Sequence, residues 1–188
     1  MTDLSVLVVE DDPVFALELK SVLSGFGCKT IKFVKNSGNA LEQILAWGPD
    51  LILMDISIDG DLNGIEVAAA IRDRMIPLVF MTGHQDMVHY DQVRALGIVC
   101  GYVVKPIYKP SFFNTIELIL KWHQMEQVEA DSSDELKIEP YENVMLLKQG
   151  NILHRIAMED LDYFQSDGNY SYIQTAEKKL ALKISLKK

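Results

Sequence analysis

The chain has 188 residues, room for one full domain and a smaller piece at roughly 100–200 residues per domain. Hydrophobic residues make up 48% and charged residues 24%, so a buried core is expected and disorder throughout the chain is excluded. A net charge of −9 gives no whole-chain attraction for nucleic-acid phosphates. No apolar run reaches the ~18 residues of a membrane span, and Cys28 and Cys100 make no disulfide framework, so a reduced, cytoplasmic setting with no membrane association is expected.

Taken in order, Leu4 to Val9 is a nearly continuous apolar run, the pattern of a strand covered on both faces. Pro13 suits the first turn of a helix with Asp12 as its N-cap; Val14, Leu17, Val22 and Phe26 share one side, and Gly25 and Gly27 stop it. Thr30 to Val34 reads as a strand, Asn39 to Trp47 as a helix closed by Gly48-Pro49, and Leu51 to Met54 as a buried strand. A Gly/Asp-rich loop leads to a helix near Ile65 to Arg74. Strands at Leu78 to Met81 and Tyr102 to Val104 follow, with helices at Gln85 to Leu96 and Ser111 to Gln127. This alternation predicts an α/β domain over residues 1–127, a five-stranded parallel doubly wound sheet with helices on both faces.

Residues 128–140, polar and acidic, read as a linker. Beyond it come short β-like pieces at Val144 to Leu147, Ile152 to Ile156, Tyr163 to Gln165 and Tyr170 to Thr175. Turn residues Gln149-Gly150-Asn151 and Asp167-Gly168-Asn169 separate them. Residues 141–188 are thus expected to form a small, mainly antiparallel β module, near the minimum size that folds unaided. Glu126 to Glu142 holds seven acids and one lysine, and Lys178 to Lys188 five lysines and no acid. A solvated lysine face accounts for that basic end more simply than a nucleic-acid patch does.

In a parallel sheet the polar residues at the strand ends gather at one edge, where ligands bind in this architecture. Strand one ends in Glu10-Asp11-Asp12, strand three in Met54-Asp55, strand four in Thr82-Gly83 and strand five in Lys105-Pro106. Carboxylates crowded into one crevice repel, so a proton or a cation is needed among them. Hard oxygen donors without a nearby His or Cys favour Mg²⁺. A lysine, a threonine hydroxyl and a glycine N–H add charge and donors for a phosphoryl group, the requirements of in-line transfer to a carboxylate.

In order and spacing, Asp11-Asp12, Asp55, Thr82 and Lys105-Pro106 resemble the site of the receiver domain of two-component response regulators, over about residues 3–125. The resemblance implies a flavodoxin-like sheet of order 2-1-3-4-5. It also implies that Asp55 accepts a phosphoryl group from a histidine kinase or phosphotransfer protein. Asp12, Asp55 and the carbonyl of Ser57 would bind Mg²⁺, with Asp11 acting through water. Lys105 would pair with the phosphoryl group, Thr82 would hydrogen-bond it, Tyr102 would be the switch aromatic, and Pro106 would follow a cis peptide. Such a protein is a phospho-acceptor and not an enzyme with an external substrate. The loop Ile56 to Gly64 departs from the pattern: it lacks the proline common there and is longer than the pattern by about one residue, with Asp59 and Asp61 read as solvated turn residues.

Ile156 to Thr175 resembles the front half of a LytTR-type DNA-binding domain, through Asp160-Leu-Asp-Tyr-Phe164, Asp167-Gly-Asn-Tyr170 and Tyr170-Ser-Tyr-Ile-Gln-Thr175. That resemblance implies transcription regulation by a homodimer. The later helix and basic region of such a domain are not in this sequence, so no DNA-contacting residue is nominated. Two other classes stand beside this reading. An aspartyl phosphatase would want a second acid where Ser57 stands; a receiver acting through protein contacts alone fits the acidic charge. His84, His89, His123 and His154 have no partner at ligand spacing, and Cys28 and Cys100 read as small buried apolar residues.

Overall fold

The apolar runs become the central strands because helices cover both their faces. The computed structural model describes residues 4–28, 30–83, 87–131, 144–149, 152–167, 170–177 and 179–182. Five parallel strands, β1 (Ser5–Val9), β2 (Thr30–Val34), β3 (Leu51–Asp55), β4 (Leu78–Thr82) and β5 (Cys100–Val104), alternate with α1 (Pro13–Phe26), α2 (Ser37–Trp47), α3 (Gly64–Ile71), α4 (Met87–Ala95) and α5 (Lys109–Asp131). Every residue of β3, β4 and β5 is buried. Five further strands follow: β6 (Val144–Gln149), β7 (Ile152–Ala157), β8 (Leu161–Asp167), β9 (Tyr170–Thr175) and β10 (Lys179–Leu182).

Strand side chains alternate between two cores. Val6, Val8, Leu51, Leu53, Val79 and Val103 pack under Leu19 and Val22 of α1 and Phe112, Ile116 and Trp122 of α5. Leu7, Val9, Ile52, Met54, Phe80 and Tyr102 pack under Ala40 and Ile44 of α2, Val67 and Ala68 of α3 and Val93 of α4. The helix starts are fixed by side-chain caps: the Asp12 carboxylate accepts the Val14 N–H at 2.8 Å, and Asn63 with Glu66 forms a capping box on α3.

The expected order 2-1-3-4-5 is present, and the sheet continues beyond it. The eight-stranded sheet runs β10-β9-β8-β5-β4-β3-β1-β2. Strand β8 lies parallel to β5, with Cys100 opposite Tyr163 and Val103 opposite Ser166. Strands β9 and β10 add antiparallel to it. The antiparallel strands β8–β10 are therefore joined edge-on to the parallel sheet, where the sequence suggested a small module set apart by a linker. Strands β6 and β7 pair with each other in a ladder of their own.

This extension explains the length of α5, which continues to Asp131 through the first part of the expected linker. Trp122 meets Phe164 of β8 edge to face at 6.5 Å. Phe164, Ile173 and Leu180, one from each added strand, join the core beneath α1 and α5. The rest of the expected linker, residues 132–140, and most of the lysine-rich end lie outside the described residues. Strand β10 was not expected from sequence; its four residues sit beside turn positions and offer too short a run to read.

Phe164 is fully buried, so Phe164→Ala should cost about 3 kcal/mol or more. Urea unfolding followed by far-ultraviolet circular dichroism and by tryptophan fluorescence should show one shared transition moved to lower urea. An unchanged midpoint would mean that β8 contributes nothing to the common core.

Candidate functional site

Four strand ends meet at the carboxyl edge of the sheet. Glu10 directly follows β1, Asp55 ends β3, Thr82 ends β4 and Lys105 directly follows β5. Ladder-like bonds fix the spacing: the Glu10 N–H donates to the Val34 carbonyl at 2.9 Å, and the Lys105 N–H donates to the Thr82 carbonyl at 2.7 Å. The Lys105–Pro106 peptide is cis.

The Lys105 ammonium lies 2.6 Å from Asp55 Oδ2 and 2.8 Å from Glu10 Oε2. It also sits 4.1 Å from the centroid of the Phe15 ring, a third stabilising neighbour. The Glu10 side chain is fully buried and that of Asp55 is 8% exposed. The other Asp55 oxygen accepts the Ser57 N–H at 3.0 Å. Gly64 is required beneath this site, since a Cβ there would overlap the Asp55 carbonyl oxygen.

Carboxylate oxygens of Glu10, Asp11 and Asp55 all lie within 4.8 Å of one another. One ammonium cannot neutralise three carboxylates in so small and dry a space. Burial, reinforced by the Asp55 charge, raises the Glu10 carboxyl from 4.5 to about 7 despite its bond to Lys105. Burial works against the Lys105 ammonium, but its bonds to Asp55 and Glu10 outweigh that and hold it above the ordinary lysine value. The remaining negative charge needs a proton or a hard cation. Three oxygen donors without sulfur or nitrogen among them fit Mg²⁺.

The structure brings together Asp11, Asp55 and Lys105 as expected from sequence, with Thr82 buried at the end of the neighbouring strand. Asp12 is the correction. Its carboxylate faces the first turn of α1 and accepts the Val14 and Phe15 amides, and it is not part of the acidic cluster. Glu10 stands in its place. The signal was present: β1 ends at Val9, so the first acid at the edge is residue 10, while Pro13 at the helix start commits residue 12 to capping. Phe15 was not expected; its position on the first turn of α1 places an aromatic face under the lysine. Ser57 has its N–H on Asp55 and an exposed side chain. Tyr102 is fully buried, three residues before Lys105, its ring 5.8 Å from that of Tyr163. His84 lies outside the described residues.

The loop after β3 is anchored away from the pocket. The Ser37 N–H donates to the Asp59 carbonyl at 2.9 Å, and the Leu62 N–H to Ser37 Oγ at 3.3 Å. Asp59 and Asp61 thus belong to a loop fastened to the start of α2, outside the acidic cluster.

Residues 6–117 match the family described as the response regulator receiver domain. The chain belongs to that family. This receiver is 32% identical over 138 residues to the DNA-binding response regulator MtrA of Mycolicibacterium smegmatis, covering 71% of the chain and 58% of MtrA. It is also 32% identical over 120 residues to the polar-differentiation response regulator DivK of Brucella anthropi, covering 62% of the chain and 95% of DivK. Among solved structures, the receiver domain of a modulated diguanylate cyclase from Desulfovibrio desulfuricans superimposes with a TM-score of 0.60 at 28% identity, over 66% of this chain and 99% of that one. The chain spans little more than half of the first of these relatives. Among the described residues no helix is long and apolar enough to cross a membrane.

Two outcomes follow from the acids. Asp12→Ala should cost about 1 kcal/mol through the lost cap yet leave Mg²⁺ affinity close to wild type, whereas Asp11→Ala should weaken Mg²⁺ at least tenfold; titration calorimetry separates them. Because Glu10 holds its proton more readily when folded, its contribution to stability is complete below about pH 4.5 and disappears as pH rises through about 7. In metal-free protein the unfolding free energy of wild type relative to Glu10→Gln should therefore fall across that window and level off above it. A flat difference would contradict the burial of Glu10.

Proposed function

We propose that this chain is a response regulator of a two-component system that accepts a phosphoryl group on Asp55 from a phosphohistidine of a histidine kinase or phosphotransfer protein. The observation that carries the reading is the lysine held at 2.6 Å from a nearly buried strand-end carboxylate beside two further acids. An Asp55 oxygen attacks phosphorus, the P–N bond breaks, and its electron pair leaves with the donor imidazole. The product is an acyl phosphate, and hydrolysis returns the carboxylate and inorganic phosphate. Mg²⁺, held by Asp11 and Asp55 with the Ser57 carbonyl, would supply positive charge to the phosphoryl oxygens.

Lys105 neutralises the third phosphoryl oxygen, moving from its bond with Asp55. The Thr82 hydroxyl donates to the same group. Glu10 keeps Lys105 aimed. Phe15 blocks water from one side of the ammonium. The protein assists its own phosphorylation and dephosphorylation and has no external substrate to turn over. It acts in the cytoplasm. Val14 and Leu17 of α1 are exposed at 76% and 69%, and they offer an apolar contact to the phosphodonor beside the pocket.

The response is proposed to run through dimerisation and DNA binding, supported by the LytTR-like segment and by the relation to MtrA, itself named a DNA-binding response regulator. A second reading, regulation through protein contacts without DNA, is favoured by the pairing of β8 with the receiver's own edge. Mobility shift on promoter DNA with and without phosphorylation separates the two.

Incubation with acetyl phosphate and Mg²⁺ should add one phosphoryl group to the intact mass, and Asp55→Ala should remain unmodified. Lys105→Ala should slow uptake by at least tenfold. An inert wild type, or a modified Asp55→Ala, overturns the proposal.

A further inference from the structure

The Lys105 ammonium is held by neighbours of two different kinds. It donates to two carboxylates, Asp55 Oδ2 at 2.6 Å and Glu10 Oε2 at 2.8 Å. It also lies over the face of the Phe15 ring, 4.1 Å from the centroid. The lysine side chain is 18% exposed and Phe15 is 9% exposed, so the ring stands where water would otherwise complete the ammonium's shell. An aromatic face attracts an ammonium without bringing a charge of its own. That matters in a cluster that already holds more carboxylates than cations. A further carboxylate would deepen the excess, and a water in the ring's place would leave the ammonium free to shift with it.

The ring's position is set by the start of α1. Asp12 caps that helix, its carboxylate accepting the Val14 N–H at 2.8 Å and the Phe15 N–H at 3.4 Å. Behind the ammonium, the ring joins the core that contains Leu19 and Val22. Asp12 therefore reaches the lysine through a single residue, although its own carboxylate is outside the acidic cluster.

We infer that Phe15 is a positioning residue for phosphoryl transfer: its ring face holds the Lys105 ammonium beside Asp55, and the Asp12 cap holds the ring. The inference rests on Asp55 being the phosphoryl acceptor. Of the ammonium's three neighbours, Asp55 is the one altered by reaction, since its oxygen becomes part of the acyl phosphate. Glu10 and Phe15 are left to keep the ammonium aimed at the phosphoryl oxygens, one by charge and one without it. Weakening the ring's attraction should then slow transfer and leave the metal-binding acids as they are.

Initial rates of phosphoryl uptake from acetyl phosphate at saturating Mg²⁺, read by intact mass, test this on the whole chain. Phenylalanines carrying one, two and three ring fluorines, placed at position 15 by amber suppression, nearly conserve packing while draining the ring's negative face. Uptake should fall stepwise, to about three- to tenfold below wild type at the third fluorine, the range of a partly buried cation–ring contact. Mg²⁺ affinity by titration calorimetry should stay constant along the series. In a Lys105→Ala background the series should be flat, because the ring then has no ammonium to hold. Asp12→Ala should slow uptake about twofold or more, and Asp12→Asn, an equally good cap, should restore it. Equal rates along the series, or the same decline without Lys105, overturn the inference and leave the phosphorylation proposal standing. An Asp12→Asn chain as slow as Asp12→Ala overturns the part given to the cap. A wild type that takes up no phosphoryl group removes both proposals.

Discussion

The pairing of one lysine with two strand-end carboxylates organises this protein. Lys105, Asp55 and Glu10 come from three different strands, and their convergence requires a parallel order in which β1 and β3 are neighbours and β5 delivers its end to the same edge. Placed in water, such a group would gain little from its Coulomb attraction. Enclosed between Phe15 and the sheet edge, the same charges interact strongly and cannot be separated without stranding a buried ion. The excess of acid over base leaves a pocket that favours a cation.

The same parallel sheet creates an exposed edge at β5, and parallel edges left open are liable to pair with other chains. Here the edge is covered by the chain's own β8, and the long α5 roofs both the receiver strands and the added ones. Coverage of this kind makes the third part of the molecule continuous with the first, so that a rearrangement at Lys105 has a hydrogen-bonded route of only a few residues to the C-terminal strands. The acidic pocket and the added strands are thus joined through one shared strand.

Much of this was legible from residue order alone. Buried parallel strands announce themselves as unbroken apolar runs, which is why Leu51–Asp55 and Leu78–Thr82 were found within a residue of their bounds. Asp55, Lys105 and Thr82 were located because each ends such a run. The acids after β1 were harder, since three in succession satisfy the pattern and only the competition with helix capping selects Glu10 and Asp11 over Asp12. The pairing of β8 with β5 was not readable. Strand partnership depends on which edge is unoccupied and on which helix is long enough to cover it, and neither is encoded in the local alternation of Leu161 to Asp167.

The most direct examination of the central claim is chemical. An acyl phosphate on an aspartate is reduced by borohydride to the corresponding alcohol, while an ordinary carboxylate is not. After phosphorylation in the presence of Mg²⁺ and reduction, peptide mass mapping should find homoserine at position 55 and unaltered aspartates at positions 11 and 12. Reduction at a different aspartate, or at none despite phosphoryl uptake, would contradict the account.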